Sequence, residues 1–292
     1  MVAVFSGYAE KARRQTRRFI KVASRYPLER EARRLMDELG WPQGDQLRVP
    51  NELGFVRFNA AALPGLADPL KRLYALGQAW VADEKRWVND KHWPKKLAHT
   101  EDVLAHPEIM DVALNEDILR AAAGYYGQVP RLYRVAIWWS PPNDTLQGSQ
   151  LFHYDGLDNR QAKVFINLHE VTPESGPLYF LDAAQSARFD AKVGYSKARI
   201  ADEDVFSIFK PEDLHSGAGP AGEGLILDTG RRLHYGSRQN SKGRLIFMIN
   251  YSRVNCVEPG KGCPVLDPIR EELVRTRYQG DPVRTYALTA PL

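Results

Sequence analysis

The sequence has little cysteine and no long apolar run, and both features exclude classes of protein. Two cysteines, Cys256 and Cys263, occur in 292 residues, too few for a disulfide scaffold or a four-thiolate zinc site. No stretch approaches the ~18 apolar residues of a membrane span, and the first residues lack the pattern of a signal peptide. We therefore expect a soluble, cytoplasmic protein with two free thiols, although the short loop between them would allow a disulfide.

The excess of positive charge is small and lies near the N-terminus. The formal net charge is +4, and residues 1–50 hold 11 Lys and Arg against 6 Asp and Glu. Such a segment is typical of a solvated helix face; the alternative is an anionic partner, which would be a phosphorylated substrate, an acidic lipid surface or nucleic acid. Few aromatic residues accompany the basic ones, so we do not expect nucleic-acid binding.

The chain divides into a helical first part and a strand-rich second part. Periodicity predicts helices within 5–39, 68–87 and 111–126 and a strand over 48–59. After Pro130 the apolar segments are short, rich in β-branched and aromatic residues, and separated by turn residues. They predict strands at 132–139, 151–155, 162–171, 177–181, 224–228 and 244–252. This pattern favours a mainly β protein with helices packed outside a sandwich or barrel.

Two boundaries follow from the same pattern. We expect a helical extension over 1–47 that packs on a β domain over 48–292. A long segment at about 183–223 has no clear strand pattern, and an insertion of this kind between strands is more often a lid or a binding loop than part of the scaffold.

A histidine and an aspartate stand two residues apart in one predicted strand, LFHYD (151–155). Side chains alternate along a strand, so His153 and Asp155 point to one side while Phe152 and Tyr154 point to the other. Non-haem iron(II) is typically bound by two histidines and one carboxylate on one face, with the opposite positions open. The pair supplies two of these ligands and needs a histidine from another segment.

The block LILDTGRRLHYGSRQNSKGRLIFMINYSR (225–253) places His234 after one strand and Arg244 at the start of the next. An arginine fork suits bidentate binding of a carboxylate better than a lysine does. In these segments the chain resembles the phytanoyl-CoA dioxygenase-like family of iron(II)- and 2-oxoglutarate-dependent oxygenases, over about residues 48–253. The matching parts are His153-x-Asp155, Ser175-Gly176-Pro177-Leu178, His234-x-Gly-Ser, Asn240 and Arg244.

The resemblance implies a fold, a set of ligands and a reaction. The fold is a double-stranded β-helix, a cupin-like jelly roll. The implied iron ligands are His153, Asp155 and His234. Arg244 is implied as the clamp for the distal carboxylate of 2-oxoglutarate, with Ser237 and Phe165 beside this co-substrate. Such enzymes use iron(II), 2-oxoglutarate and O₂ and release succinate and CO₂, and a carboxylate at Asp155 favours hydroxylation of an unactivated C–H bond in a small molecule.

The residues on the substrate side stay open between two interpretations. The candidates are Lys163, Asn167, Trp138 and Arg232. Lys163 and Asn167 share a strand face with Phe165, and that face is either part of the pocket or an ordinary solvated face. Trp138 either lines the site or packs in the core, and Arg232 either reaches an anionic substrate or lies in a solvated turn.

Two other functional classes compete with an oxygenase. One is a non-oxidative metal enzyme, an isomerase or hydrolase, on a cupin-like barrel; it would not need a clamp for a dicarboxylate. The other is a non-catalytic binding module whose basic N-terminal helix contacts a membrane surface or nucleic acid, which would show salt-dependent binding without turnover.

Overall fold

The computed structural model describes residues 24–41, 47–87, 93–194, 198–256 and 262–291. The basic residues Arg13, Arg14, Arg17, Arg18 and Lys21, on which the prediction of an anionic partner rests, lie outside these ranges. None of the described helices has both the length and the apolar composition that crossing a membrane requires.

Helices lie mainly before the strand-rich part and at the C-terminal end. In chain order the α-helices are α1 (Tyr26–Glu38), α2 (Ala67–Ala82), α3 (Thr100–Ala105), α4 (Glu108–Ala113), α5 (Glu116–Tyr126), α6 (Ala183–Val193), α7 (Asp202–Phe206), α8 (Arg270–Leu273) and α9 (Pro282–Thr289). The helix predicted over 111–126 is two helices, because Asn115 caps the second one by accepting from the backbone N–H groups of Asp117 and Ile118.

Six strands form a large antiparallel sheet in the order β1-β7-β4-β9-β3-β2. Their bounds are β1 (Phe55–Asn59), β2 (Lys95–Lys96), β3 (Arg131–Ser140), β4 (Ala162–Asn167), β7 (Glu223–Asp228) and β9 (Arg244–Ser252). The predicted strand over 48–59 begins only at Phe55, because the turn that includes Pro50 and Gly54 precedes it.

A smaller sheet in the order β6-β5-β8 faces the large one. Its strands are β5 (Tyr179–Phe180), β6 (His215–Ser216) and β8 (His234–Tyr235). Phe180 of the small sheet packs with Leu225 and Leu227 of β7, and its ring lies 4.9 Å from that of Phe55, edge to face. Two facing antiparallel sheets with helices outside form the double-stranded β-helix that the sequence predicts.

The two faces of the large sheet differ in composition. On β4, Val164 and Ile166 belong to the main hydrophobic core, together with side chains of the surrounding helices. Lys163 and Phe165, which alternate with them, point to the opposite side and line a cavity between the sheets. The alternative that the sequence left open for this strand is thereby settled: its mixed face is turned toward the small sheet and not toward bulk solvent.

The insertion at 183–223 contains α6, α7 and β6. Phe189, Val205 and Phe209 of this segment form a second hydrophobic cluster with Phe152 and Tyr154. The insertion therefore packs behind the segment that carries His153 and Asp155.

Helix α1 packs against the C-terminal part of the chain. Ala32 of α1 packs with Val254 and Ala290. Cys256 and Cys263 are buried, and neither forms a disulfide in this structure.

Candidate metal and co-substrate site

His153, Asp155 and His234 come together although they lie on different segments. Residues 151–155 are not a regular strand: His153 forms a bridge to His234, each donating its backbone N–H to the other's carbonyl at 3.0 and 3.1 Å. The predicted alternation nevertheless holds, since Phe152 and Tyr154 are buried in the second hydrophobic cluster. This bridge brings the two imidazoles to the same side.

One ligand atom from each of these three residues lies within 4.8 Å of the other two. The His153 Nε2 atom is 3.9 Å from Asp155 Oδ1, and the His234 Nε2 atom is 3.8 Å from Asp155 Oδ2. The imidazole centroids are 4.3 Å apart. Two imidazole nitrogens and one carboxylate are the donor set that non-haem iron(II) takes from proteins, so these residues fit that ion.

Backbone carbonyl groups orient both imidazoles in the same way. The Nδ1 atom of His153 is 2.9 Å from the carbonyl oxygen of Leu151, and that of His234 is 2.8 Å from the carbonyl oxygen of Arg232. A carbonyl oxygen can only accept, so each Nδ1 carries the proton. The Nε2 lone pairs are then free to bind a metal, as is usual for histidine ligands.

The charge states of the three residues suit a metal ion. Burial lowers the pKa of His153 to about 3, with a further lowering by His234, and burial also lowers the pKa of His234. Burial alone would raise the pKa of Asp155, but the nearby Lys163 ammonium and the two histidines bring it well below its usual value. At neutral pH the site therefore offers two neutral imidazoles and one carboxylate.

Arg244 begins β9 at one end of the cavity and is buried. Its guanidinium donates to Ser237 Oγ, and Ser237 Oγ lies 2.9 Å from Ser140 Oγ. The Arg244 Nε has no hydrogen-bond partner, and no ion pair of this guanidinium occurs within the described part of the chain. Burial lowers the pKa of Arg244 to about 10, so the side chain remains charged at neutral pH.

Ser237 is held in an unusual backbone conformation beside Arg244. Its φ angle is +62°, in the left-handed region that residues other than glycine seldom occupy. The Ser237 N–H donates to the Gly176 carbonyl, and its own carbonyl accepts from the Gln150 side chain at 2.6 Å. These contacts stabilise a local conformation that aims the hydroxyl at Arg244, and such strain is common at functional sites.

These groups line one cavity of about 220 Å³. Eight of the candidate residues from the sequence line this cavity: Trp138, His153, Asp155, Lys163, Phe165, His234, Ser237 and Arg244. The remaining lining residues are Pro94, Arg134, Ser149, Leu178, Gly236, Ile246 and Met248.

Two substrate-binding candidates from the sequence lie outside this cavity. The Asn167 side chain donates to the carbonyl oxygens of Gly217 and Gly219 and ties β4 to the end of the insertion. Arg232 is 3% exposed and donates to the carbonyl oxygen of Leu53. Its guanidinium fills the space beside Gly54, where a Cβ would lie 2.1 Å from it.

The sequence contained a signal for some of the missed wall residues. Ile246 and Met248 alternate with Arg244 along one strand, so period-two alternation places all three on one face. Ser140 reaches the site through its pairing with Arg244 across β3 and β9. Strand register depends on tertiary structure, and the sequence offered no signal for it.

Comparisons with known proteins identify the fold. No family model and no curated protein matches the sequence. The solved structures include EctD from S. alaskensis in its apo form, 14% identical with a TM-score of 0.50, the match covering 70% of this chain and 75% of that one. EctD with 2-oxoglutarate and 5-hydroxyectoine is 13% identical at the same TM-score, with coverages of 70% and 74%.

A carbocyclase described as non-heme and alpha-ketoglutarate-dependent, SnoK from nogalamycin biosynthesis, is 18% identical with a TM-score of 0.47, covering 76% of this chain and 82% of its own. At these identities the likeness to EctD establishes a shared fold, the double-stranded β-helix surrounded by helices. The chemistry of this chain has to be argued from its own residues.

Proposed function

We propose that the protein is an iron(II)- and 2-oxoglutarate-dependent dioxygenase that hydroxylates an unactivated C–H bond of a small molecule. The co-substrates would be 2-oxoglutarate and O₂, and the products would include succinate and CO₂. A neighbour of the same fold supports the proposal, since EctD is described with 2-oxoglutarate.

The observation that carries the proposal is the buried Arg244 guanidinium, which shares a cavity with the three ligand residues. Burying an unpaired charge is costly, and a group that costs stability is retained where it binds something. A carboxylate is the natural partner of an arginine fork. Because 2-oxoglutarate carries carboxylates at both ends, its distal carboxylate can bind Arg244 while its keto-acid end approaches the metal ligands.

Each residue has a stated role in this scheme. His153, Asp155 and His234 would hold the metal, which would supply the activation of O₂ coupled to oxidative decarboxylation of the keto acid. Arg244 and the Ser237 hydroxyl would hold the distal carboxylate. Phe165, Ile246 and Met248, which lie between these groups on the sheet, exclude water from the keto acid.

Lys163 has a role that the sequence did not indicate. Its Nζ is 2.7 Å from Asp155 Oδ2, so the ammonium keeps the carboxylate ionised and fixes its orientation. The free Oδ1 atom faces His153 Nε2. Lys163 thus acts as a positioning residue for the carboxylate ligand.

A non-oxidative metal enzyme accounts for the ligand residues but not for Arg244. Such an enzyme has no need of a buried, unpaired guanidinium at the far end of the cavity. The non-catalytic alternative rests on basic residues that lie outside the described ranges. It does not explain the cavity or the candidate metal ligands that line it.

The test is consumption of 2-oxoglutarate by purified protein with iron(II) and ascorbate, measured as succinate formation with a metabolite library. Wild-type protein should form succinate, and Asp155→Ala should abolish this while the circular dichroism spectrum stays unchanged. Asp144→Ala removes an exposed carboxylate from the same chain and should retain full turnover. Retained turnover in Asp155→Ala, or no iron-dependent binding of 2-oxoglutarate by the wild type, would refute the proposal.

A further inference from the structure

A row of three polar residues crosses the inner face of the large sheet at the end away from Arg244. Asn250 of β9 pairs with Arg134 of β3 on one side and with Lys163 of β4 on the other. Paired residues point to the same face, and adjacent strands lie about 4.8 Å apart. The row therefore presents a guanidinium, an amide and an ammonium side by side.

The cavity wall contains more positive than negative charge. Three of the lining residues are cations, namely Arg134, Lys163 and Arg244, whereas Asp155 is the one carboxylate among the described lining residues. Lys163 is paired with Asp155, and our proposed function assigns Arg244 to the keto acid. Arg134 is the remaining cation of the three, and neither assignment gives it a partner.

Arg134 has no acidic partner in the described part of the chain. It is half-buried, and the contact that the structure shows for its guanidinium is with the Tyr133 ring, at 5.4 Å from the centroid. A second cation, Lys96, pairs with Trp138 on the same sheet face. Burial lowers the pKa of Lys96, Cys263 raises it, and the Arg134 charge contributes a smaller lowering.

The Asn250 side chain is also unsatisfied. The residue is 4% exposed, and its Oδ1 has no hydrogen-bond partner. The Oδ1 atom is an acceptor, so burying it without a donor costs free energy unless a ligand or a bound water donates to it. The Arg134 guanidinium beside it can only donate, so it requires an acceptor.

This row lies at the opposite end of the β3–β9 pair from the co-substrate clamp. Arg244 pairs with Ser140, whereas Asn250 pairs with Arg134 six residues further along each strand. Six residues of strand span about 20 Å between backbone positions. The contact between Lys163 and Asp155 places the row next to the metal ligands.

We propose that Arg134 binds an anionic group, a carboxylate or a phosphate, of the primary substrate, and that the Asn250 Oδ1 accepts from a hydroxyl or N–H group next to that anion. The inference rests on the proposed function and adds the chemical class of the substrate to it. The anion would lie beyond the metal ligands, so that a carbon close to it reaches the reacting position. A cavity of about 220 Å³ is smaller than the usual ~300–1,000 Å³ of ligand pockets, so the part of the substrate inside it has to be compact.

The first test measures anion binding without turnover. Protein loaded anaerobically with iron(II) and saturating 2-oxoglutarate is titrated with sodium phosphate or with sodium acetate at constant ionic strength, and the thermal midpoint Tm is recorded. At ten times the Kd, a bound anion should raise Tm by about 3–6 °C. The Arg134→Met variant should need about tenfold more anion for the same rise.

Matched variants make this test decisive. Arg34→Met removes one charge from an exposed position on α1 (side chain 73% exposed) and should respond as the wild type does. Arg134→Lys keeps the charge and should regain part of the response. Equal responses of Arg134→Met and Arg34→Met would overturn the inference.

The second test uses turnover and separates the two sources of the anion. Carboxylic acids are compared with their primary amides, and phosphate monoesters with the parent alcohols, as stimulants of succinate formation. Acids or monoesters should stimulate and their neutral counterparts should not, and the pair that shows the contrast identifies the anion. Equal stimulation by charged and neutral forms would contradict the inference.

Failure of the inference is distinguishable from failure of the proposed function. If iron-dependent 2-oxoglutarate binding is present and depends on Arg244, but anion binding does not depend on Arg134, the inference alone is wrong. If 2-oxoglutarate does not bind, the proposed function is wrong. A rise in the KM for 2-oxoglutarate in Arg134→Met, with no loss of anion binding, would reassign Arg134 to the keto acid and overturn the inference.

Discussion

The two faces of the large sheet are built from the same strands but have different roles: one packs in the hydrophobic core and the other lines the cavity. On β9, Phe247 and Ile249 point outward into the main hydrophobic core and are fully buried. Ile246 and Met248 alternate with them and line the cavity with Arg244. The outward side chains of this strand, Leu245, Phe247, Ile249 and Tyr251, all belong to the main hydrophobic core, whereas the inward ones are mixed.

This difference separates stability from function within a single strand. Close packing against helices leaves little freedom on the outer face, because each lost methylene leaves a void. The inner face keeps groups that cost stability, namely the buried Arg244 guanidinium and the unpaired Asn250 amide oxygen. Packing on the outer face stabilises the fold, and this stability offsets the cost of the polar groups that the inner face holds in place.

The largest expected contrast is between neighbouring residues on the two faces. Ile249→Ala should lower the free energy of unfolding by about 3 kcal/mol, because it opens a void in the packed core. Met248→Ala should cost clearly less, because its side chain already borders a cavity. Urea denaturation of both variants measures the difference. Equal losses would show that the inner face is packed as tightly as the outer one.

Arg244→Leu should separate stability from function most clearly. Its free energy of unfolding should be unchanged or higher, since the variant no longer buries an unpaired charge. Its affinity for 2-oxoglutarate in the presence of iron(II) should fall by about 2 kcal/mol, the worth of a charged hydrogen-bonded pair. Calorimetric titration and urea denaturation of the same preparation give both values. An unchanged affinity would show that Arg244 does not bind the keto acid.

The sequence predicted which side chains of β4 share a face of the sheet, but it did not predict which face points inward. Period-two alternation gave Val164 and Ile166 as one face and Lys163 and Phe165 as the other, because strand geometry alone determines this. Alternation does not say which face is inward, and both faces of this strand are covered. The row of Arg134, Asn250 and Lys163 depends on the register of three strands, which non-local contacts determine.

The residues of the candidate metal and co-substrate site were predictable for a different reason. His153 and Asp155 are local in sequence, and the resemblance to a family supplied His234 and Arg244. Nothing local indicated that Asn167 would bind backbone carbonyls or that Arg232 would fill the space beside Gly54. Both depend on segments that are distant in the chain.

A smaller effect concerns pH at the border between the two faces. His169 Nε2 accepts from the Leu245 backbone N–H at 2.7 Å, which requires a neutral ring. Burial and the Arg244 charge lower the pKa of His169 below its usual 6.5. The unfolded chain therefore binds a proton near pH 6.5 while the folded protein does not. The contribution of His169 is complete above pH 6.5 and is lost as the pH falls toward the folded pKa.

His169→Gln should reduce this pH dependence, since a glutamine oxygen can accept the same hydrogen bond and does not titrate. Between pH 7.5 and 5.5 the wild type should lose more stability than the variant, by at most about 1.4 kcal/mol per pH unit below 6.5. The other buried histidines contribute to both proteins and cancel in the comparison. Parallel pH profiles would show that another group accounts for the dependence.

The smallest effect concerns the insertion at 183–223, which the sequence predicts to be a lid. Asp202 of α7 lies 2.8 Å from Arg238 Nη1, and the Arg238 guanidinium stacks over Tyr235 at 3.4 Å. This pair joins the insertion to the loop after β8. None of the described residues within 183–223 lines the cavity, and the apolar residues of the segment pack behind Phe152 and Tyr154.

Asp202→Asn should cost less than about 1 kcal/mol of stability, because the pair is partly exposed, yet it should speed tryptic cleavage within 183–223. Protection of the wild type then distinguishes two roles. A lid would become protected when substrate is added to protein loaded with iron and 2-oxoglutarate. A segment that supports the ligand residues from behind would become protected when iron(II) alone is added, because the metal fixes His153 and Asp155 and, through them, the cluster at their back. Cleavage rates measured with each addition in turn decide between the two.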